Sequence, residues 1–314
     1  MAHEACINEV AEMLLVQVRA SHRWLQRRHQ FEPRLFIAAF AMLFAYGAPG
    51  AAQDADRGKY LVEALMACDN CHTPRAQDGY DLSRRFAGGS QVFSDKSYSV
   101  RGSNISADKE TGVGAWTDAE LRAAITEGRA HGGRLAPVMP SESYRALTPS
   151  DLESVIAFLR SAPPVKSDRP AQERRGALEP RPAIPDAESP FAGEALADPR
   201  RRGLYVASLA RCMGCHSGEV DGLPDLKNHL GQGGKLFRTP AGVAVASNIT
   251  SDATNGVGAW SDDELKRAVT QGIGRDGKAL APTMANLSRA HFSKMSGEDL
   301  DALVAWLRTV PPGK

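Results

Sequence analysis

The sequence has 314 residues, 42% of them hydrophobic and 24% charged, with 38 Lys and Arg set against 37 Asp and Glu. That length holds two ordinary domains or one large one, and the composition is that of a soluble globular protein. A formal net charge of +1 gives no sign of the basic excess that marks nucleic-acid binding.

The chain opens with a leader. Arg27, Arg28 and Arg34 precede the apolar run Leu35 to Tyr46, which is followed by the small-residue stretch "GAPGAAQ". This is the layout of an export signal over residues 1–52, cleaved after Ala52 and taking Cys6 with it. Its twelve apolar residues fall short of the roughly 20 that span a bilayer as a helix, and no later segment is long and apolar enough to do so. Without the leader, acidic and basic residues are equal in number.

From residue 53 onward the elements come in two copies. A helix is predicted over "RGKYLVEALMA", with Tyr60 as a core residue, and it ends at Cys68, Cys71 and His72. The stretch 103–128, "SNISADKETGVGAWTDAELRAAITEG", then leads into a helix opened by a capping box of Thr117 and Glu120. Met139 follows in a proline-flanked loop, and Thr148 and Pro149 open a last helix with Leu152, Val155, Ile156 and Leu159 on one face.

The connector 163–198 carries seven prolines, with Pro199 just after it, which suit an extended segment, and Phe191 and Leu196 offer it apolar anchors. The second copy repeats the order: "RRGLYVASLAR" with Tyr205, then Cys212, Cys215 and His216 at an offset of 144. Ser261 and Glu264 form its capping box, Met284 lies at an offset of 145, and a last helix with Leu300, Leu303, Val304 and Leu307 lies at 148. No run of alternation long enough to build a sheet appears. The expected fold is all-α: two tandem domains, 53–162 and 199–314, joined by the proline-rich linker 163–198.

Two thiols three positions apart on a turn can each add to one vinyl group of a haem, and the adjacent histidine then faces the iron. Cys68, Cys71, Cys212 and Cys215 are therefore the candidate attachment points of two covalent c-type haems, with His72 and His216 as proximal ligands. A methionine sulfur commonly fills the sixth position of a low-spin carrier. Met139 and Met284 are the candidates, although Ala285 replaces the proline found at Pro140 and Met295 competes with Met284. A lone loop methionine ordinarily fills a gap in a core; the duplication favours ligation. His131, His229 and His291 have no histidine counterpart in the other copy, which disfavours them as ligands. Trp116, Trp260, Asn104 and Asn248 stand either as haem-pocket hydrogen bonders or as packing and turn residues. The glycines of "GVG" do not follow a strand, so a nucleotide-binding loop is discarded.

From Arg57 to Pro312 the sequence resembles periplasmic di-haem c-type cytochromes built from two class I cytochrome c domains. It is similar in particular to the cytochrome subunits of alcohol, aldehyde, gluconate and nicotinate dehydrogenases. The resemblance rests on "CDNCH" and "CMGCH", on "TGVGAWTDAEL" and "NGVGAWSDDEL", on "LAPVMP" and on the closing "DLESVIAFLRSAPP". It implies His72 and His216 as proximal and Met139 as distal ligand. It also implies a periplasmic relay without bond-making chemistry of its own, fed by a partner dehydrogenase and discharging to a soluble cytochrome, an oxidase or a quinone site. Peripheral membrane association would come through such a complex; many members of the group carry three haem domains and a membrane-binding tail. The main alternative is a di-haem peroxidase, which needs one iron with an open distal position. Matched methionines and a regular duplication argue against it. A thiosulfate-oxidising di-haem enzyme would need a spare cysteine ligand, and a zinc-binding interaction module would pool the two motifs' side chains.

Overall fold

The computed structural model describes residues 49–77, 79–167, 172–239 and 242–313. Of the leader, only residues 49–52 fall among them, as the start of the first helix; Cys6 and the rest lie outside the described residues.

Helix α1 (Pro49–Tyr60) runs on into a π-helical turn, Leu61–Leu65, whose Leu61, Val62, Ala64 and Leu65 are buried. Helix α2 (Asp69–His72) carries the first cysteine motif, and two hairpins follow: β1 (Arg75–Ala76) with β2 (Gly79–Tyr80), then β3 (Val92–Ser94) with β4 (Tyr98–Arg101). Helix α3 (Asp118–Arg122) starts at the predicted capping box: the Thr117 hydroxyl accepts from the Glu120 amide, and the Glu120 carboxylate accepts from the Thr117 amide. Strands β5 (Arg129–Ala130) and β6 (Gly133–Arg134) lead to the short α4 (Ser141–Tyr144) and the long α5 (Pro149–Ser161). Thr148 caps α5, and Val155, Ile156 and Leu159 are buried along it.

The connector is laid along this first half. Its strand β7 (Glu173–Arg174) adds to β4 as a third strand, and the Asn104 side chain donates to the Val165 carbonyl at 2.7 Å. Phe191 is buried, and its amide donates to Ala146.

The second half repeats the order with α6 (Pro199–Leu209), α7 (Cys212–His216), β8 (Glu219–Val220) with β9 (Leu223–Pro224), and β10 (Leu236–Thr239) with β11 (Gly242–Val245). Helices α8 (Asp262–Gln271), α9 (Pro282–Ala290) and α10 (Gly297–Leu307) complete it. Inserted residues lengthen the region around Met284: α9 has nine residues where α4 has four.

The all-α expectation is corrected. The fold is mixed α/β, 40% helical and 12% strand, with five small antiparallel sheets among the described residues. Their strands are two to four residues long, too short for an alternating pattern to show.

Residues 50–314 form one compact unit whose core draws on both halves, from Leu61 and Leu65 to Tyr205 and Leu209. Two equivalent contacts tie the halves together. Asp151, on the first turn of α5, binds Arg57 of its own half at 2.9 and 2.7 Å and accepts the Tyr205 hydroxyl of the other half. Asp299, on the first turn of α10, binds Arg202 of its own half at 2.5 Å and accepts the Tyr60 hydroxyl of the other at 2.6 Å. Tyr60 and Tyr205 are thus hydrogen-bond donors across the halves, where the sequence suggested plain core packing.

This clasp carries a pH signature. Burial, and then the hydrogen bond to Asp299, push Tyr60 from 10.0 up to about 12; Tyr205 is pushed up too, by burial and then the Asp151 charge. As pH rises, the unfolded tyrosines lose their protons first, so the clasp's contribution is full below about pH 10 and is lost towards about 12. The melting temperature is expected to fall over that window, and more steeply than in the Tyr60→Phe, Tyr205→Phe double variant. Equal slopes would show that the two hydroxyls are not linked to folding.

Candidate functional site

Each cysteine motif begins with a break in the backbone. Ala67 and Arg211, just before Cys68 and Cys212, are left-handed, with φ of 51° and 58°. This ends the preceding helix and starts a new short one, which brings both thiols and the histidine onto a single turn.

The two histidines are held identically. His72 Nδ1 lies 2.7 Å from the Ser103 carbonyl and His216 Nδ1 lies 2.8 Å from the Ser247 carbonyl, 31 residues downstream in each case. A carbonyl only accepts, so Nδ1 carries the proton and Nε2 keeps its lone pair for a metal. Burial lowers the pKa of both rings and so favours the neutral form that can ligate. The serines belong to the repeated "SNI", where sequence reasoning had singled out only the asparagines. Those asparagines make turns: Asn104 Oδ1 accepts from the Ser106 amide and Asn248 Oδ1 from the Thr250 amide, both at 2.9 Å.

The four thiols are half-buried. Burial pushes Cys68 and Cys71 up, and raises Cys212 to about 12, so all three stay protonated at neutral pH. In the second half, Cys212, Cys215 and His216 line a cavity of about 460 Å³ with Trp260, Met284 and Met295. The remaining wall is largely apolar. Hairpin β10–β11 closes one side with Phe237 and Ala244, a role that no sequence signal had indicated.

Met284 and Met295 thus reach the same cavity, Met284 from the first turn of α9 and Met295 from the residue before the α10 cap. In the first half, Met139 sits in a turn closed by its own amide donating to Ala136, and packs with Cys68 against the core. Leu147, the counterpart of Met295, is buried there. The other histidines are engaged elsewhere. His131 is exposed beside Trp116 and Glu120, and His229 is exposed and bonded to Asp225. Buried His291 uses both ring nitrogens, on the Glu63 carbonyl at 2.8 Å and the Tyr80 hydroxyl at 2.7 Å.

A second repeated device braces the loop before each middle helix. Arg160 of the last helix donates to the Val113 and Trp116 carbonyls, and Arg308 donates to those of Val257, Gly258 and Trp260. Both arginines were unremarked in the sequence, although they share the offset of the helices that carry them.

An apolar cavity with two half-buried thiols, a neutral imidazole free at Nε2 and two thioether sulfurs fits a covalently bound porphyrin. It does not suit zinc: among the described residues no three His, Cys, Asp or Glu side chains gather to hold a metal ion. No helix of the described residues is long and apolar enough to cross a membrane.

No family model matches the chain. It is 28% identical over 310 residues to a diheme cytochrome c-type protein of Cereibacter sphaeroides, covering 95% of this chain and 96% of that one. To the fructose dehydrogenase cytochrome subunit of Gluconobacter japonicus it is 29% identical over 276 residues, 81% of this chain and 52% of the relative. To a nicotinate dehydrogenase subunit of Pseudomonas putida it is 30% identical over 244 residues, 72% of this chain and 19% of the relative. The chain therefore spans about half the length of the fructose dehydrogenase relative and about a fifth of the nicotinate dehydrogenase one.

Proposed function

The chain is a relative of the c-type cytochrome subunits of dehydrogenases, and from that premise we propose that it is a periplasmic carrier of two covalent c-type haems. It relays electrons from a partner dehydrogenase to a soluble cytochrome, an oxidase or a quinone site. Its two modules are residues 53–162 and 199–314.

One observation carries the reading: a histidine fixed through Nδ1 to a serine carbonyl 31 residues on, directly behind the two cysteines of its motif, in both halves. When bound, each haem supplies one-electron chemistry at its iron. The chain's own residues do the rest. Cys68 and Cys71 would tether one group, and Cys212 and Cys215 the other. His72 and His216 present Nε2 in a fixed orientation, because the serine carbonyls hold their rings. Met139 would offer a thioether ligand to the group in the first half and Met284 to the one in the second, with Met295 lining the same cavity as Met284. The apolar walls exclude water, which limits rearrangement when charge changes at the site.

Expression with the haem-attachment machinery, followed by alkaline pyridine haemochrome assay, is expected to give two haems per chain. The Cys212→Ala, Cys215→Ala variant is expected to give one. Fewer than two in the parent chain would overturn the proposal. Carbon monoxide binding readily at one ferrous haem would favour the peroxidase reading in its place.

A further inference from the structure

The two halves differ in what lies beside their long hairpins. At the offset of 144, β3 and β4 of the first half correspond to β10 and β11 of the second. In the first half β4 is the middle strand of three, because the connector's β7 lies along its outer edge. Glu173 sits opposite Ser99, the Arg175 amide donates to the Ser97 carbonyl at 2.8 Å, and the Gln172 side chain donates to the Arg101 carbonyl at 3.0 Å. Alternate residues of a strand turn their amides and carbonyls to the same edge, so Ser97, Ser99 and Arg101 are the ones that meet the added strand. Val243 and Val245 stand where Ser99 and Arg101 do, and among the described residues β11 pairs with β10 alone.

The side chains have diverged along with the edge. Leu236 pairs with Val245 and Arg238 with Val243, which puts these four on one face of the hairpin, while Phe237 and Ala244 on the other close the cavity. Their equivalents in the first half are Val92, Arg101, Ser94 and Ser99, three of them polar. Leu236, Val243 and Val245 are 67%, 64% and 58% exposed, and with Val220 and Leu223 of the β8–β9 hairpin they make up five of the seven exposed large apolar side chains among the described residues. Lys235 joins the two hairpins beside the cysteine motif: it pairs with Glu219 at 2.7 Å and reaches the Gly214 carbonyl, between Cys212 and Cys215, at 3.4 Å. An exposed apolar strand edge is a liability that proteins ordinarily blunt with charge or cover.

We propose that the outer edge of β11 is a docking site for the partner protein, which adds an extended segment there as a third strand, apolar at the alternate positions that continue the face of Leu236, Val243 and Val245. The first half shows the mode, in which main-chain hydrogen bonds supply the grip and alternate side chains the selectivity. An edge of four residues is too short to bury the roughly 800 Å² per partner of a stable interface by pairing with its own copy. A strand that belongs to a larger partner needs no such area from the edge alone. Docking there sets the partner against the wall of the second site. The inference rests on the reading of the chain as the electron carrier of a dehydrogenase.

The test uses the purified holoprotein and a short synthetic peptide of alternating valine and threonine, ended by glutamates and N-methylated along one edge so that it cannot pair with itself. Amide hydrogen exchange is read at Val243 and Val245, and at Ser99 as the equivalent already covered. The peptide is expected to slow exchange at both valines saturably and to leave Ser99 unchanged. The Val243→Lys, Val245→Lys variant is expected to bind it roughly tenfold more weakly, since apolar cover is lost, and a peptide methylated at every amide is expected not to bind. If the valine amides are unaffected while the pyridine assay counts two haems, the docking proposal fails and the carrier reading stands. A concentration-dependent doubling of mass in light scattering, abolished in the lysine variant, would assign the face to a second copy. Sedimentation of the parent but not of the variant with phosphatidylglycerol vesicles would assign it to a lipid surface. Either result overturns the proposal. Saturable protection in a preparation with fewer than two haems would keep the edge as a strand-docking site and overturn the carrier reading alone.

Discussion

Asp299→Ala is expected to cost about 4 kcal/mol of stability, within the roughly 3–5 kcal/mol lost when one partner of a buried ion pair is removed. The Asp299 side chain is 3% exposed and Arg202 is 21% exposed, so the guanidinium recovers little water and keeps only Glu298, 73% exposed, as a partner. The Tyr60 hydroxyl loses its acceptor in the same step. Asp151→Ala is expected to cost less, nearer about 3 kcal/mol, because Arg57 is 34% exposed and solvent screens it better. Tyr205→Phe removes a single hydroxyl, worth about 1 kcal/mol, but leaves Asp151 with its arginine. Denaturant melts of these three variants should give that order. In a double-mutant cycle, Tyr205 should couple to Asp151 and not to Asp299. An Asp299 variant as stable as the parent would falsify the clasp.

Gly203→Ala is expected to destabilise the chain by about 2 kcal/mol or more. Its new Cβ would lie 2.0 Å from the Ala302 carbonyl oxygen and 2.5 Å from Trp306 Cβ, where α6 crosses α10. Neither neighbour is the loose end of a side chain, so the helices must separate. Alanine's advantage over glycine inside a helix is about 1 kcal/mol, and overpacking of this kind costs typically about 1–3 kcal/mol and at times more. Gly58→Ala should behave alike, since its Cβ would lie 1.8 Å from the Ser154 carbonyl oxygen in the equivalent crossing. Gly193→Ala meets nothing within 4 Å and should stay within about 0.5 kcal/mol of the parent. Thermal melts of the three variants decide the matter; equal melting temperatures would remove the close crossings.

The helices were legible because their signals are local. Thr117, Ser261 and Thr148 announce starts, and the buried stripe of Val155, Ile156 and Leu159 follows the helical period. The sheets were not. Arg75–Ala76 and Glu219–Val220 are strands only because a turn folds their partners back, and β7 finds β4 from a proline-rich segment more than 70 residues away. The candidate site was legible as far as Cys and His residues go, since the repeat marks them twice. Its supports are backbone carbonyls, at Ser103 and Ser247, and a carbonyl has no residue identity to read. The tyrosine contacts join positions 239 and 54 residues apart, and only the matching offsets of Tyr60 with Tyr205 and Asp151 with Asp299 could have hinted at them.

The tyrosine–aspartate exchange is one contact made twice with the roles reversed, the form an interface takes when two identical molecules meet around a dyad. Such an interface needs no connector, and the two halves meet as the protomers of a symmetric dimer would. Fusion lifts the constraint of sameness. Identical protomers must have identical centres, whereas joined copies can differ residue by residue, as Ala67 and Arg211 do at one equivalent backbone position.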